Sequence, residues 1–194
     1  MHTYYIIYKP YLAVSQFSPL DGKKTLSDYF TLPKDVYPVG RLDHDSEGLL
    51  FLTSDTALNS LLLNPVNKHE RTYWVQVEGI ISQSAIGRLE KGLKISIDGK
   101  PHKTLPAKSQ LIEEPVLPPR NPPIRVRQTV PTSWISITLT EGKNRQVRRM
   151  TAAVGYPTLR LVRYSIEDLT LELLKGNNIK QISKEEAYKL LHIG

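Results

Sequence analysis

The chain has 194 residues, and its 26 lysines and arginines outnumber its 19 aspartates and glutamates, which gives a formal charge of +7. The absence of cysteine excludes disulfides, thiolate zinc sites and a cysteine nucleophile. No apolar run approaches the roughly 18 residues that a membrane span requires, and the N-terminus shows no export signal, so a soluble, cytoplasmic protein is expected.

The first half of the chain predicts strands and short helices. Short apolar or β-branched runs between turn signals predict strands over residues 3–9, 48–53 and 71–79. Helices are predicted over residues 24–30, 56–64 and 82–93. Ser54 or Asp55 is the predicted N-cap of the second helix, which Pro65 ends. Asp98-Gly99 predicts a hairpin within residues 94–102.

A proline-rich segment opens the second half. Residues 115–124, PVLPPRNPPI, hold five prolines and are therefore neither a helix nor a central strand. We expect a surface loop or arm here. Its neighbouring arginines, Arg120, Arg125 and Arg127, suggest a contact with RNA or protein.

The remaining elements are two strands and two helices. Strands are predicted over residues 134–142 and 158–166, and helices over 144–155 and 183–191. Asn144 is the predicted N-cap of the first helix, and Gly155 follows its end. Because strands outnumber helices and do not alternate regularly with them, the sequence predicts an α+β fold with a mostly antiparallel sheet.

Four acidic residues fall in the stretch GRLDHDSEGLLFLTSD, residues 40–55. They are Asp43, Asp45, Glu47 and Asp55. Three interpretations are open: a calcium loop, a pair of carboxylates sharing acid and base work, and one reactive carboxylate with ordinary polar neighbours.

The calcium interpretation matches only the front half of the loop. Asp43, Asp45 and Glu47 occupy its first, third and fifth positions, but the twelfth position is Ser54 instead of glutamate. Paired carboxylates that flank a scissile bond usually come from different elements, so the spacing of Asp43 and Asp45 is weak evidence. A single carboxylate nucleophile needs a cation that keeps it ionised, and the arginines of EGKNRQVRRM, residues 141–150, offer candidates.

Positive charge is concentrated in the segment that begins with EGKNRQVRRM. Residues 141–163 hold six lysines or arginines against one acid, Glu141. Such a concentration is typical of a surface that binds a phosphate backbone, although a solvated basic face without a partner is the alternative.

Four motifs in order resemble the pseudouridine synthases, in the branch that includes the small-subunit ribosomal enzyme RsuA. They are YKP (8–10), GRLDHDSEGLLFLTSD (40–55), RTYWVQVEG (71–79) and EGKNRQVRRM with GYPTLRLVRYSI (141–150 and 155–166). The segment RNPPIRVRQTVPTSW (120–134) is similar to the E-type subgroup, which acts on large-subunit (23S) ribosomal RNA. The resemblance implies one catalytic domain over residues 1–194, with two subdomains around a cleft and a mixed, bent sheet flanked by helices.

The resemblance also implies roles for individual residues. Asp43 matches the catalytic aspartate, Arg148 its ion-pair partner, and Tyr73 the aromatic residue that packs on the target base. Further RNA contacts are expected from Arg41, Val147 and Lys9, and, in the basic segment, from Arg145, Arg149, Arg160 and Arg163. Arg71 and Arg145 stand where many relatives carry lysine and histidine.

The implied activity is the isomerisation of a uridine in ribosomal RNA to pseudouridine by a monomer. This reaction needs no redox change and no group donor, so we expect neither a cofactor nor a metal. No S4-type RNA-binding domain is expected before the first strand, so RNA recognition would fall to the catalytic body. The rival interpretation is a catalytically silent RNA-binding or ribosome-assembly factor on the same fold.

Overall fold

A computed structural model of the protein describes residues 2–124 and 129–194. The chain divides into two compact units. Unit 1 comprises Met1–His69 and Arg163–Gly194, and unit 2 comprises Glu70–Val162. Arg125 and Arg127, which follow the proline-rich segment, lie outside the described residues.

The described residues form short strands and four α-helices. The strands are β1 (Tyr4–Lys9), β2 (Ala13–Val14), β3 (Lys24–Thr25), β4 (Tyr37–Pro38), β5 (Glu47–Thr53), β6 (Arg71–Glu78), β7 (Lys94–Ile97), β8 (Lys100–Lys103), β9 (Lys108–Ile112), β10 (Thr132–Leu139), β11 (Thr158–Ile166), β12 (Leu169–Thr170) and β13 (Ile179–Ile182). The helices are α1 (Thr56–Leu63), α2 (Gln83–Glu90), α3 (Gln146–Ala153) and α4 (Lys184–Leu190). Short 3-10 helices cover Leu26–Asp28, Pro65–Asn67 and Leu171–Leu174.

In unit 1, β1 lies between β13 and β5 and is antiparallel to both. Every residue of β5 is buried, because its apolar run packs on both faces of the sheet. On one of these faces Leu50 and Leu52 pack with Ile7 and Leu26. The β5 strand is therefore a fixed element within the acidic stretch, and it begins four residues after Asp43.

In unit 2, β10 lies between β6 and β9, and both pairs are antiparallel. Apolar residues of β6 and β10 pack against α2 and α3, with Val75, Ile135 and Met150 fully buried. Strand β11 begins in unit 2 and ends in unit 1. Its last two residues, Ser165 and Ile166, pair with β12 in an antiparallel arrangement.

The α+β prediction is confirmed, and several element boundaries are corrected. The helix predicted over residues 24–30 is only a 3-10 turn at Leu26–Asp28. Asn144 is not the N-cap of α3, because Arg145 takes this position with a φ of 51°. Strands β9 and β13 had no counterpart in the prediction. The single-domain prediction for residues 1–194 stays a prediction.

Candidate active site

Asp43 lies in a loop of unit 1 that connects β4 to β5. Gly40 turns the chain with a φ of 70°, a left-handed conformation that glycine adopts without a steric cost. The N–H of Ser46 donates to the Asp43 carbonyl at 3.0 Å and closes a tight turn directly before β5. The Asp43 side chain is half-buried, so it is held by the protein and still open to a ligand.

Buried charged side chains lie close to this loop. Lys9 is fully buried, and its Nζ donates to the carbonyl oxygens of Pro10 at 2.9 Å and Ala13 at 2.6 Å. Burial lowers the pKa of Lys9 to about 8, although the negative charges of Glu47, Asp45 and Asp43 oppose this shift. The Lys9 ammonium therefore belongs to the electrostatic environment of Asp43.

Arg163 is a second buried cation of unit 1. Its side chain is 3% exposed, and Nε donates to the Leu49 carbonyl at 2.8 Å. In unit 2, Arg160 is 8% exposed and donates to the Pro118 carbonyl at 2.8 Å. Both guanidinium groups donate to backbone carbonyls, and the expectation that these two arginines contact RNA stays a prediction.

Unit 2 carries the predicted aromatic residue and the predicted arginine. Tyr73 lies on β6 opposite Ile137 and packs, half-buried, against the apolar core of unit 2. Val147 belongs to the same core at 5% exposure. Arg148 follows Val147 on α3 and is half-buried. The sequence motifs 71–79 and 141–150 thus bring Tyr73 and Val147 to one apolar cluster.

Other predicted RNA contacts differ in exposure. Arg41 and Arg145 are exposed. Arg149 is half-buried and donates to the Ser96 carbonyl of β7. With Lys94 it lines an open groove of about 650 Å³ between α3 and the β7–β8 hairpin, floored in part by Ala152. Among residues 2–124 and 129–194, no acidic side chain lines this groove.

Glu47 and Asp55 accept hydrogen bonds from tyrosine hydroxyls. Glu47 is the first residue of β5, and its carboxylate accepts a hydrogen bond from the Tyr8 hydroxyl at 3.0 Å. Asp55 is the N-cap of α1: it accepts from the Leu58 N–H at 3.3 Å, and also from the hydroxyls of Tyr4 at 2.9 Å and Tyr188 at 3.0 Å. The N-cap is therefore Asp55 and not Ser54.

The calcium interpretation is not supported by this geometry. Glu47, its fifth ligand position, is part of a buried strand. Across residues 2–124 and 129–194, no three histidine, aspartate or glutamate side chains are grouped as a metal site requires.

The same described residues include no helix with the length and apolar character needed to cross a bilayer.

Ser15, in contrast, is a residue of this site that the sequence did not reveal. It follows β2, and its hydroxyl contacts Leu42, the residue before Asp43. The only signal in the sequence was the proximity of Ser15 to the YKP motif, and nothing in its own position pointed to Leu42.

Comparison with known proteins decides the family. The model of the RNA pseudouridylate synthase family matches residues 3–153, which include Asp43, Tyr73 and Arg148. The chain belongs to the RNA pseudouridylate synthase family. As a pseudouridylate synthase it is an isomerase.

Curated relatives of this synthase are named for the large ribosomal subunit. Ribosomal large subunit pseudouridine synthase E of Vibrio parahaemolyticus is 51% identical over 177 residues, covering 91% of this chain and 72% of the relative. The protein of the same name from Xanthomonas axonopodis is 52% identical over 172 residues, covering 87% and 88%. Ribosomal large subunit pseudouridine synthase B of Bacillus subtilis is 33% identical and covers 96% and 70%.

Solved structures agree with the family assignment. A pseudouridylate synthase crystal structure superposes with a TM-score of 0.78 at 26% identity, covering 98% of this chain and 74% of the other. Human RNA pseudouridylate synthase domain containing 1 matches with a TM-score of 0.56 at 13% identity, covering 94% and 79%, which shows a shared fold.

Proposed function

We propose that this synthase isomerises a specific uridine of large-subunit ribosomal RNA to pseudouridine, acting as a monomer without cofactor or metal. The observation that carries the proposal is the half-buried Asp43 in a turn of the motif that identifies the family. The relatives of about 50% identity, named for the large subunit, indicate the RNA. An enzyme with this substrate is expected in the cytoplasm, where ribosomes are assembled.

In the proposed reaction, the bond between uracil N1 and ribose C1′ breaks, and a bond between uracil C5 and C1′ forms. C5 loses its proton and N1 gains one, so the reaction is balanced without an oxidant, a reductant or a second substrate. Asp43 is the proposed nucleophile, either at the ribose or at the uracil ring. The target base must leave its stack before the enzyme reaches these atoms.

Tyr73 and Arg148 are the proposed partners in this chemistry. Tyr73 offers a ring for the flipped base, and its position on the regular strand β6 fixes that ring. Arg148 is the proposed cation that keeps Asp43 ionised, because a neighbouring positive charge favours the carboxylate over the acid. Val147 supports the tyrosine from within the same apolar cluster.

The proposed RNA contacts follow the exposure of the basic residues. Arg41 and Arg145 are exposed, and Arg149 with Lys94 lines the open groove of unit 2. Lys9, Arg160 and Arg163 donate to backbone carbonyls, so we propose that they hold the site in shape in addition to their predicted RNA contacts.

Replacing Asp43 tests the proposal. Asp43→Asn keeps the size of the side chain but removes its charge, so we expect turnover to be lost while the protein still folds and binds RNA. Asp45→Asn, two residues away, is the matched control and should keep most of the activity. Arg148→Ala should also inactivate the enzyme. Substantial turnover by Asp43→Asn, or loss of turnover upon addition of a chelator, would contradict the proposed chemistry.

A deletion strain separates the enzyme from a silent assembly factor. Chemical tagging of pseudouridine followed by sequencing of ribosomal RNA should show one large-subunit site that loses its tag in the deletion strain. The wild-type gene should restore this tag, and a gene carrying Asp43→Asn should not. Retention of every tag would favour the silent factor.

A further inference from the structure

The side chain of Ser15 binds both polar backbone groups of Leu42. Its Oγ accepts from the Leu42 N–H at 3.1 Å and donates to the Leu42 carbonyl at 2.9 Å. Ser15 is 3% exposed and lies 27 residues before Leu42 in the chain. We call these two hydrogen bonds the Ser15 bridge.

The Ser15 bridge fixes the backbone immediately before Asp43. The Leu42 N–H belongs to the peptide unit that joins Arg41 to Leu42, and the Leu42 carbonyl belongs to the unit that joins Leu42 to Asp43. Each peptide unit is planar, so a hydrogen bond to each one restricts the two dihedral angles of Leu42. The backbone nitrogen of Asp43 lies in the second plane, and its direction is therefore set by Ser15.

Two backbone hydrogen bonds hold the two ends of the loop. The Val39 N–H donates to the Phe51 carbonyl at 2.8 Å, and the Ser46 N–H donates to the Asp43 carbonyl at 3.0 Å. Between them, Gly40 adopts a left-handed conformation, in which glycine, unlike other residues, has no steric cost. The Ser15 bridge acts on this middle part.

Ser15 is itself held in place from its other side. The Lys9 ammonium donates to the Ala13 carbonyl at 2.6 Å, and the N–H of Leu26 donates to the Gln16 carbonyl at 2.8 Å. Ala13 and Val14 also pair with β3. The bridge is thus attached to a rigid support, as a positioning contact requires.

We propose that Ser15 is a positioning residue for the nucleophile, an inference that rests on the proposed function of Asp43. Its hydroxyl donates to and accepts from Leu42, so it acts on the reaction through the backbone and does not touch the RNA. Without the bridge, the peptide groups of Leu42 lose their buried partner, and Asp43 samples directions that do not meet the target.

Ser15→Ala tests this proposal against a matched control. Ser133 makes the same kind of bridge in unit 2: its Oγ accepts from the Ile81 N–H at 3.0 Å and donates to the Gly79 carbonyl at 2.8 Å. It is 9% exposed, and its partners Ile81 and Gly79 are not next to Asp43, Tyr73 or Arg148 in the chain. Ser133→Ala therefore removes an equivalent pair of buried hydrogen bonds that does not involve the backbone next to Asp43.

The readouts are the single-turnover rate constant, the RNA dissociation constant, the urea midpoint and the exchange rate of the Leu42 amide. For Ser15→Ala we expect the rate constant to fall by about 100-fold, as a misplaced reacting group does, with little change in RNA affinity. The Leu42 amide should exchange faster. Ser133→Ala should lose similar stability and keep the wild-type rate constant.

Ser15→Cys carries the test if Ser15→Ala does not fold, because a thiol keeps the approximate volume but weakens both hydrogen bonds. Its rate constant should lie between those of wild type and inactive enzyme. A wild-type rate constant in the folded Ser15 variants would overturn the proposal, as would an equal loss in Ser133→Ala. Failure of the proposed function would give a different result from failure of the Ser15 proposal. In that case the wild-type protein itself would form no pseudouridine in the same RNA, or Asp43→Asn would retain turnover.

Discussion

Lys9 gives a prediction that connects burial to a measurable pH dependence. Its ammonium is fully buried, and burial lowers its pKa from 10.5 to about 8. Lys9→Met removes the charge and keeps a side chain of similar length. The absolute stability of this variant reflects several changes, because the carbonyls of Pro10 and Ala13 also lose their donor. The pH slope, in contrast, reports the ammonium of Lys9 alone.

The sign follows from the two pKa values. Between about pH 8 and 10.5 the unfolded chain keeps a proton on Lys9 that the folded protein releases, so the free energy of unfolding rises with pH. Below this range, the buried charge costs the folded state about 3 kcal/mol, since each pKa unit corresponds to about 1.4 kcal/mol. Most of this cost, about 2 to 3 kcal/mol, should disappear between pH 7 and pH 10.

Urea denaturation of both proteins at several pH values between 7 and 10 measures the effect. The difference in unfolding free energy between wild type and Lys9→Met should change by about 2 to 3 kcal/mol in favour of wild type as the pH rises. Lys100→Met, at an exposed lysine of β8, is the control and should follow wild type. Parallel pH profiles of wild type and Lys9→Met would refute the inference that Lys9 is held as a buried ammonium.

Two further predictions concern stability and RNA binding. Asp55→Ala should lower the free energy of unfolding in urea by about 3 to 5 kcal/mol, because two tyrosine hydroxyls and the N-terminus of α1 lose one charged acceptor. Burial raises the pKa of Asp55, but its three hydrogen bonds outweigh burial and lower the pKa overall. The stabilisation that Asp55 gives to the folded protein is therefore present above about pH 4 and is lost as the pH falls through the lower pKa of the folded state. Acid titration of wild type and Asp55→Ala would check this pH dependence. Replacing Lys94 and Arg149 together by alanine should reduce the slope of log K against log salt for RNA binding by about two, whereas Lys23→Ala, at an exposed residue of unit 1, should leave it unchanged. An unchanged slope in the double variant would place the RNA contact elsewhere.

The elements that the sequence predicted well are those with a strong local pattern. Strand β5 follows from an apolar run between a glycine and polar residues, and the β7–β8 hairpin follows from Asp98-Gly99, whose φ angles are 50° and 78°. Strand β9, KSQLI, was missed because it is an edge strand with few buried residues. Its extended conformation depends on backbone pairing with β10, which a local sequence pattern does not show. The N-cap of α3 was misplaced because Arg145 adopts the left-handed conformation that asparagine favours more.

Within the candidate site, sequence motifs predicted the positions of residues better than the concentration of positive charge did. The position of Asp43 in a turn before a buried strand follows from its motif. The burial of Arg160 and Arg163 could not be predicted from the local sequence. A count of charges does not distinguish an arginine that donates to backbone carbonyls from one that binds phosphate. Ser15 was not found because its contact with Leu42 joins residues that are distant in the chain.

The discontinuous build of unit 1 has a consequence for synthesis on the ribosome. Residues 1–69 emerge first, but β1 acquires its second neighbour only when β13, Ile179–Ile182, has been made. All of unit 2 is translated before that point. During this interval one edge of β1 remains unpaired, a state in which strands are prone to pair with other chains. Arg163, which donates to the strand that follows the Asp43 loop, also arrives late. A nascent chain therefore carries Asp43, the proposed nucleophile, long before Arg163 and β13 of the same unit have been made.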